Sequence, residues 1–257
     1  MDFGLILLSV IPVRAEPDNR SEMVNQLLFG ELLIKSEAYK NWARIRSVYD
    51  HYEGWVDQKQ ITFIDEEEFN RIRNAQAFYS TDPVSVIRDR ESGRYTPVLI
   101  GSCFPDIKNR EFMLNGAAIS FEGKFSGGTY SREKLIETAY LYMHSPYLWG
   151  GRSPFGIDCS GLIQMIYKIN GIAIARDASE QAKQGETLSL MTEARTGDLV
   201  FFDDDEGQII HVGMLLGEDK IIHASGRVRI DSIDHQGIYN RELSKYTHTL
   251  RLIKSIV

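Results

Sequence analysis

Cys159 follows a glycine-rich turn, Gly150-Gly151 to Gly156. It opens a segment whose Leu162, Ile163, Ile166 and Ile169 fall on one helical face, with Gly171 as its stop. Free N–H groups and the dipole at a helix start favour a thiolate, the form in which cysteine is a nucleophile. Such a nucleophile needs a base. His211 opens a β-rich run, and His223 lies near the end of the next one. If residues i and j of the two runs face one another with i + j = 436, His223 stands opposite Gly213, on the face of His211 and diagonal to it. A register of 437 separates the pair. One imidazole can then hold the tautomer of the other. Cys103 has no comparable setting and reads as a buried, inert thiol.

Other chemistries fit these residues poorly. Gly151 and Gly156 have the glycine spacing of a phosphate-binding loop, but Ile157-Asp158 stand where Lys-Ser/Thr would hold phosphate and magnesium. No paired CxxC or HExxH is present, and a cysteine with two histidines leaves a zinc site short of ligands, so no metal is expected. The acidic run 203–206 lacks the alternating spacing of a calcium loop and reads as an exposed turn.

The chain has 257 residues, a formal charge of -7, 43% hydrophobic and 25% charged residues, an ordinary globular composition with room for two or three domains. Its acidity disfavours nucleic acid and anionic polymers as partners. No apolar run is long enough for a membrane-spanning helix. Two cysteines do not make a disulfide scaffold, and reduced thiols in a cytoplasmic protein are expected. The apolar run 3–11, with Val13-Arg14-Ala15 behind it, would imply a periplasmic or secreted protein if it were a cleaved signal. Asp2 occupies the place of a positive n-region, so the run is read as strand.

Short strands are expected over 5–13, 26–36, 42–47 and 54–56, making a small barrel over 1–66. A solvated charged connection begins at Glu66-Glu67-Glu68, and a second small β unit spans 67–125. The third unit, 126–257, starts with a helix capped by Ser131 and carrying Leu135, Ala139, Tyr142 and Met143, stopped by Pro146. It continues with the Cys159 helix and ends in β-rich runs at 197–202, 211–216 and 220–224, the last two joined by Gly217-Glu218-Asp219.

Tyr147-Leu-Trp149-Gly-Gly-Arg-Ser-Pro-Phe-Gly-Ile-Asp158-Cys159-Ser160-Gly161, Gly197-Asp-Leu-Val-Phe-Phe, His211-Val-Gly-Met and His223-Ala-Ser together resemble the NlpC-type, papain-like cysteine peptidases that cut bacterial cell-wall peptides. The resemblance covers about half the chain, from Ser131 onward. Phe29-Gly30-Glu31 and Tyr52-Glu-Gly-Trp55-Val56 are similar, less specifically, to bacterial SH3-like barrels. The implied fold is α+β: a helix carrying the cysteine packed on an antiparallel sheet, preceded by two small SH3-like β-barrels.

The resemblance implies Cys159 as nucleophile, His211 as base and His223 as the residue orienting it. It implies no cofactor. In the subgroup that recycles murein peptides, it further implies hydrolysis of the γ-D-glutamyl-diamino acid bond of free peptides with an N-terminal L-alanine. Asp158 and Ser160, with Glu31 and Tyr52 from the first barrel, are then the contacts of the free amine. Tyr147 and Trp149 are substrate contacts of the nucleophile segment. Arg176 and Asp177 meet the D-glutamyl α-carboxylate, and Ala178 stands where the family has serine. The alternatives are an enzyme acting on intact peptidoglycan and a catalytically silent wall-binding protein.

Overall fold

The structure, a computed structural model, describes residues 2–217 and 219–256. Glu218, in one of the expected turns, lies outside the described residues. The first unit comprises β1 (Asp2–Leu5), β2 (Val10–Arg14), β3 (Met23–Leu28), β4 (Leu32–Tyr39), β5 (Trp42–Ser47), β6 (Glu53–Asp57) and β7 (Thr62–Ile64). They form one antiparallel sheet in the order β3-β2-β6-β5-β4-β1-β7 around Ile6, Ile11, Val13, Leu27, Ile45 and Val56. Two expected strands are each broken in two. The run 5–13 turns aside after Leu5 because Ile6 exchanges backbone hydrogen bonds with Gly30 and Glu31. The run 26–36 breaks at Gly30, whose φ is +82° and whose missing Cβ leaves room for the Cys103 carbonyl, 1.9 Å from where that atom would stand.

The charged stretch at 66 is a helix, α1 (Glu66–Asn74), and not a solvated connection. Asp65 caps it by accepting the Glu68 N–H at 2.8 Å, three glutamates sit in its first turn, and Arg71 and Arg73 sit in its last. Its Phe69 and Ile72 are buried in a cluster that joins Phe29 and Leu32 of the first unit to Phe104, Phe112 and Phe121 of the second. That second unit has two small sheets. One is ordered β10-β9-β13-β12, from β9 (Val84–Asp89), β10 (Tyr95–Leu99), β12 (Glu111–Leu114) and β13 (Ala117–Phe121). The other is ordered β11-β8-β14, from β8 (Ala77–Ser80), β11 (Cys103–Pro105) and β14 (Phe125–Ser126).

In the third unit α2 (Arg132–Tyr140), capped by Ser131, ends earlier than expected, its last residues forming turns before Pro146. After the hairpin β15 (Arg152–Ser153) and β16 (Gly156–Ile157) comes α3 (Cys159–Ile169), buried along its whole length, which halts at Gly171 with φ +80°. A short α4 (Ala178–Gln181) and β17 (Glu186–Leu188) lead into β18 (Leu199–Asp203), β19 (Ile209–Gly217), β20 (Lys220–Ser225), β21 (Arg227–Asp234), β22 (Gly237–Asn240) and β23 (Lys245–Ser255). These six pair in sequence and close through β22 and β23 into an antiparallel barrel. Its outer face packs Val212, Met214, Ile222 and Ala224 against Leu162, Met165 and Ile166 of α3, while Phe202, Leu215, Ile221 and Ile233 fill the inside.

Candidate active site

Cys159 is the first residue of α3, and Asp158 is its cap: Oδ1 accepts the Gly161 N–H at 2.6 Å and Oδ2 the Gly150 N–H at 2.8 Å. The preceding turn packs too tightly for side chains, since a Cβ on Gly161 would lie 2.4 Å from the Gly151 carbonyl. The sulfur lies against the backbone amides of Ser160 and Val212, the latter next to His211 on β19. The N–H of Cys159 has no acceptor among the described residues. The helix start does not deliver a resting thiolate, contrary to the expectation. Burial first, and then the Asp158 carboxylate, push the Cys159 thiol up to about 12, against the smaller opposing pull of those amides and Arg176.

Gly213 pairs with His223, the register that sets the histidines on one diagonal. His211 Nε2 and His223 Nδ1 are 2.9 Å apart, and His223 Nε2 lies 3.0 Å from Asp231 Oδ2. Burial, then His223 and His248, hold His211 well below the usual histidine range. His248 of β23 stacks on the His211 ring, centroids 4.2 Å apart and planes 24° apart. One nitrogen from each of the three histidines lies within 4.8 Å of the others; the His211 and His248 rings are near-parallel, the His223 ring is almost perpendicular to both, and both nitrogens of His223 are already engaged. One extra residue in β19, between Ile209 opposite Asp203 and His211 opposite Phe202, bulges the strand and leaves Ile210 exposed at the site.

A cleft of about 410 Å³ opens beside Cys159, with Val24 and Tyr52 from the first unit, Trp149, Asp177 and Ile210 among its walls. Ser160 also lines it, its hydroxyl held by Arg176 at 3.0 Å. Tyr147 stands beside Cys159 and Asp158, its hydroxyl pushed up to about 12 by burial and then by those two groups. Trp149 donates its indole N–H to Glu22 of the first unit.

Of the expected charged contacts, Asp158 and Arg176 line the cleft and Glu31 does not. Asp158 and Arg176, assigned to opposite substrate charges, neutralise each other: Arg176 places its two terminal nitrogens 2.9 and 2.6 Å from the two Asp158 oxygens, and its Nε donates to Asn25 at 2.9 Å. With all lone pairs and donors so engaged, neither is a free receptor. Glu31 lies outside the cleft, buried between Arg152, at 2.9 Å, and Lys168. Its burial favours the neutral form, but the two cations outweigh that and hold its carboxyl near 2. Asp177 is the carboxylate left over. It has no hydrogen bond or ion pair among the described residues, and it faces Tyr52, whose hydroxyl is pushed up to about 12 by burial and next by Asp177.

The reading from sequence missed Asp231, His248, Glu22 and Ile210. Only Asp231 carried a signal: Arg229-Ile230-Asp231 alternates after Gly226, so a hairpin at that glycine puts Asp231 on the face of His223.

Residues 144–247 match the NlpC/P60 family, and residues 13–61 match the bacterial dipeptidyl-peptidase SH3 domain. Dipeptidyl-peptidase 6 of Lysinibacillus sphaericus is 29% identical over 94% of this chain and 96% of its own length. Gamma-D-glutamyl-L-lysine dipeptidyl-peptidase of Bacillus subtilis is 46% identical over 36% of this chain and 31% of its own. A crystal structure of an NlpC/P60 family protein from Bacillus cereus superposes with a TM-score of 0.83 over 99% of both chains at 22% identity, which shows the shared fold. The cleft, its cysteine and its paired histidines thus stand in an NlpC/P60 domain behind a bacterial dipeptidyl-peptidase SH3 domain, and the chain is a cysteine-type peptidase.

Proposed function

We propose that the protein removes a dipeptide from free murein peptides, cutting the γ-D-glutamyl-diamino acid bond of substrates that begin with L-alanine. The observation that carries this reading is the cleft itself: about 410 Å³, walled by the first unit through Val24 and Tyr52, with Asp177 as an uncompensated carboxylate. That volume suits a small ligand. With Asp158 and Arg176 cancelling, the remaining negative charge suits an ammonium, which gains a charge-assisted bond at Asp177 with the Tyr52 hydroxyl beside it. The relatives' names, dipeptidyl-peptidase and gamma-D-glutamyl-L-lysine dipeptidyl-peptidase, agree with both features.

In this reading Cys159 and His211 rest as neutral thiol and imidazole. The thiol proton passes to His211 as sulfur attacks the γ-glutamyl carbonyl carbon, and the free N–H of Cys159 at the helix start receives the developing oxyanion. Imidazolium then protonates the leaving amine of the diamino acid as the C–N bond breaks, leaving a thioester. His211 takes a proton from water, hydroxide adds to the thioester, and the dipeptide leaves as the thiol is restored.

Mass spectrometry of L-Ala-γ-D-Glu-L-Lys, its N-acetylated form and intact murein tests the reading. Release of L-Ala-D-Glu from the free-amine peptide, at least tenfold faster than cleavage of the acetylated one, is expected. Equal cleavage of both, or efficient release of peptides from intact murein, would overturn it.

A further inference from the structure

The barrel sets three polar side chains on a staircase. His223 pairs directly with Gly213 on one side and Arg229 on the other. His211 stands two residues before Gly213 and Asp231 two residues after Arg229. Since β19 and β21 run in the same direction, His211, His223 and Asp231 form one diagonal across three strands, joined at 2.9 and 3.0 Å. Asp231 is buried and gripped by Arg229, whose Nη2 donates to Oδ1 at 2.9 Å and whose Nε is 2.8 Å from Oδ2. Arg229 in turn meets Glu242 at 3.1 Å.

We propose that Asp231 is a positioning residue that sets the tautomers of both histidines and so makes Nδ1 of His211 the basic nitrogen. This rests on the reading of His211 as the general base. An ionised carboxylate only accepts, so His223 must carry its hydrogen on Nε2. A neutral His223 then has a lone pair on Nδ1, which accepts from His211 Nε2–H, and the remaining lone pair of His211 is on Nδ1. Were His223 to become an imidazolium, its Nδ1–H would point at His211 Nε2, and the hydrogen of His211 would move to Nδ1, where it blocks proton uptake. Arg229 guards against this state by offsetting the Asp231 charge with a cation next to His223, and the same grip holds Asp231 as the acceptor that fixes the His223 hydrogen on Nε2.

Two measurements on Asp231→Asn test the assignment. Steady-state kinetics on the free-amine peptide should show kcat down about 10- to 100-fold with KM within about twofold, the loss typical when an outer hydrogen-bond partner of a functional histidine is removed. Imidazole 15N NMR should show His211 and His223 both carrying hydrogen on Nε2 in the wild type, and hydrogen on Nδ1 of His211 in the variant. A folded Asp231→Asn with wild-type kcat, or one that loses activity while both tautomers stay unchanged, would overturn the proposal. If that variant does not fold, Arg229→Gln replaces it. Without Arg229 the Asp231 carboxylate beside His223 is uncompensated, with His211, His248 and Glu242 as the other titratable neighbours, so the acid limb of kcat/KM should move to higher pH; an unmoved limb would overturn the proposal. His211→Gln separates the two readings. If it stays active, the base assignment itself fails, whereas an inactive His211→Gln beside a fully active Asp231→Asn refutes only the role of Asp231.

Discussion

Glu31→Gln should unfold the protein more easily rather than change what it recognises. In the wild type the Glu31 carboxylate accepts from Arg152 and Lys168 and from the Leu28 N–H at 3.0 Å, and all three charged side chains are buried. An amide leaves two buried cations without a counter-charge, a loss of about 3 to 5 kcal/mol. Linkage gives a similar size. The carboxyl falls from 4.5 to about 2 on folding, a shift worth about 3 kcal/mol. Because the folded value is the lower one, that stability is complete above pH 4.5 and is lost as pH falls towards about 2. With an unfolding entropy of about 2 cal/mol/K per residue over the whole chain, the substitution should lower Tm by about 6 to 10 °C at pH 7. Scanning calorimetry at pH 7, with urea titrations from pH 6 to 2, reads both effects, and the acid loss attributable to Glu31 should vanish in the variant. Lys168→Met in the Glu31→Gln background should recover part of the loss by removing one stranded cation. A Tm within about 2 °C of wild type, together with a collapsed preference for free-amine peptides, would refute the reasoning and return Glu31 to the substrate.

Cys159→Ala should abolish hydrolysis and Cys103→Ala should leave kcat within about twofold; equal losses measured by product mass would refute the nucleophile. His223→Gln should keep more kcat than His211→Gln, because a glutamine can accept from His211 and donate to Asp231 at once; the reverse ranking in steady-state kinetics would exchange the two roles. Asp177→Asn should cut kcat/KM for free-amine peptides about ten- to hundredfold, the equivalent of one charge-assisted bond of about 1.5 to 3 kcal/mol, while barely affecting N-acetylated peptides; an unchanged ratio between the two substrates would place the amine elsewhere.

What could be read from the residues was local. A cap, a tight glycine turn and one apolar helical face are written within a dozen positions, so the start of α3 and its cysteine were legible, whereas the register of the histidine strands was left between two values, and a shift between Leu215 and Gly217 sets Gly213 opposite His223. Choices between distant charges were not legible. Asp158 and Arg176, or Glu31 and Arg152, each look like surface or ligand-binding charges until the fold brings them within 3 Å of one another. Charge also concealed α1, where Asp65 and the spacing of Phe69 and Ile72 were the stronger signal than the glutamates around them. His248 escaped because its strand is irregular: the pairing of β22 with β23 shifts between Ile238 and Tyr239, so counting by twos does not carry it to the ring of His211.

The seam between the first unit and α3 has a consequence for how this enzyme can diverge. Asn25 holds Arg176, Glu22 holds Trp149, Gln26 holds Arg152, and Asp50 holds Gln164, so each partner in the catalytic unit is anchored by a residue of the leading barrel. Val24 and Tyr52 then supply the outer wall of the cleft from that same anchored surface. Excising or exchanging the leading barrel would therefore leave polar groups bare along the back of the nucleophile helix and open the cleft on one side. Single substitutions on the barrel's edge, by contrast, can retune which peptides enter while every atom of the reacting machinery is inherited unchanged. One wall of the cleft and all of the reacting groups are thus encoded in separate stretches of the gene, yet the two stretches cannot be shuffled apart.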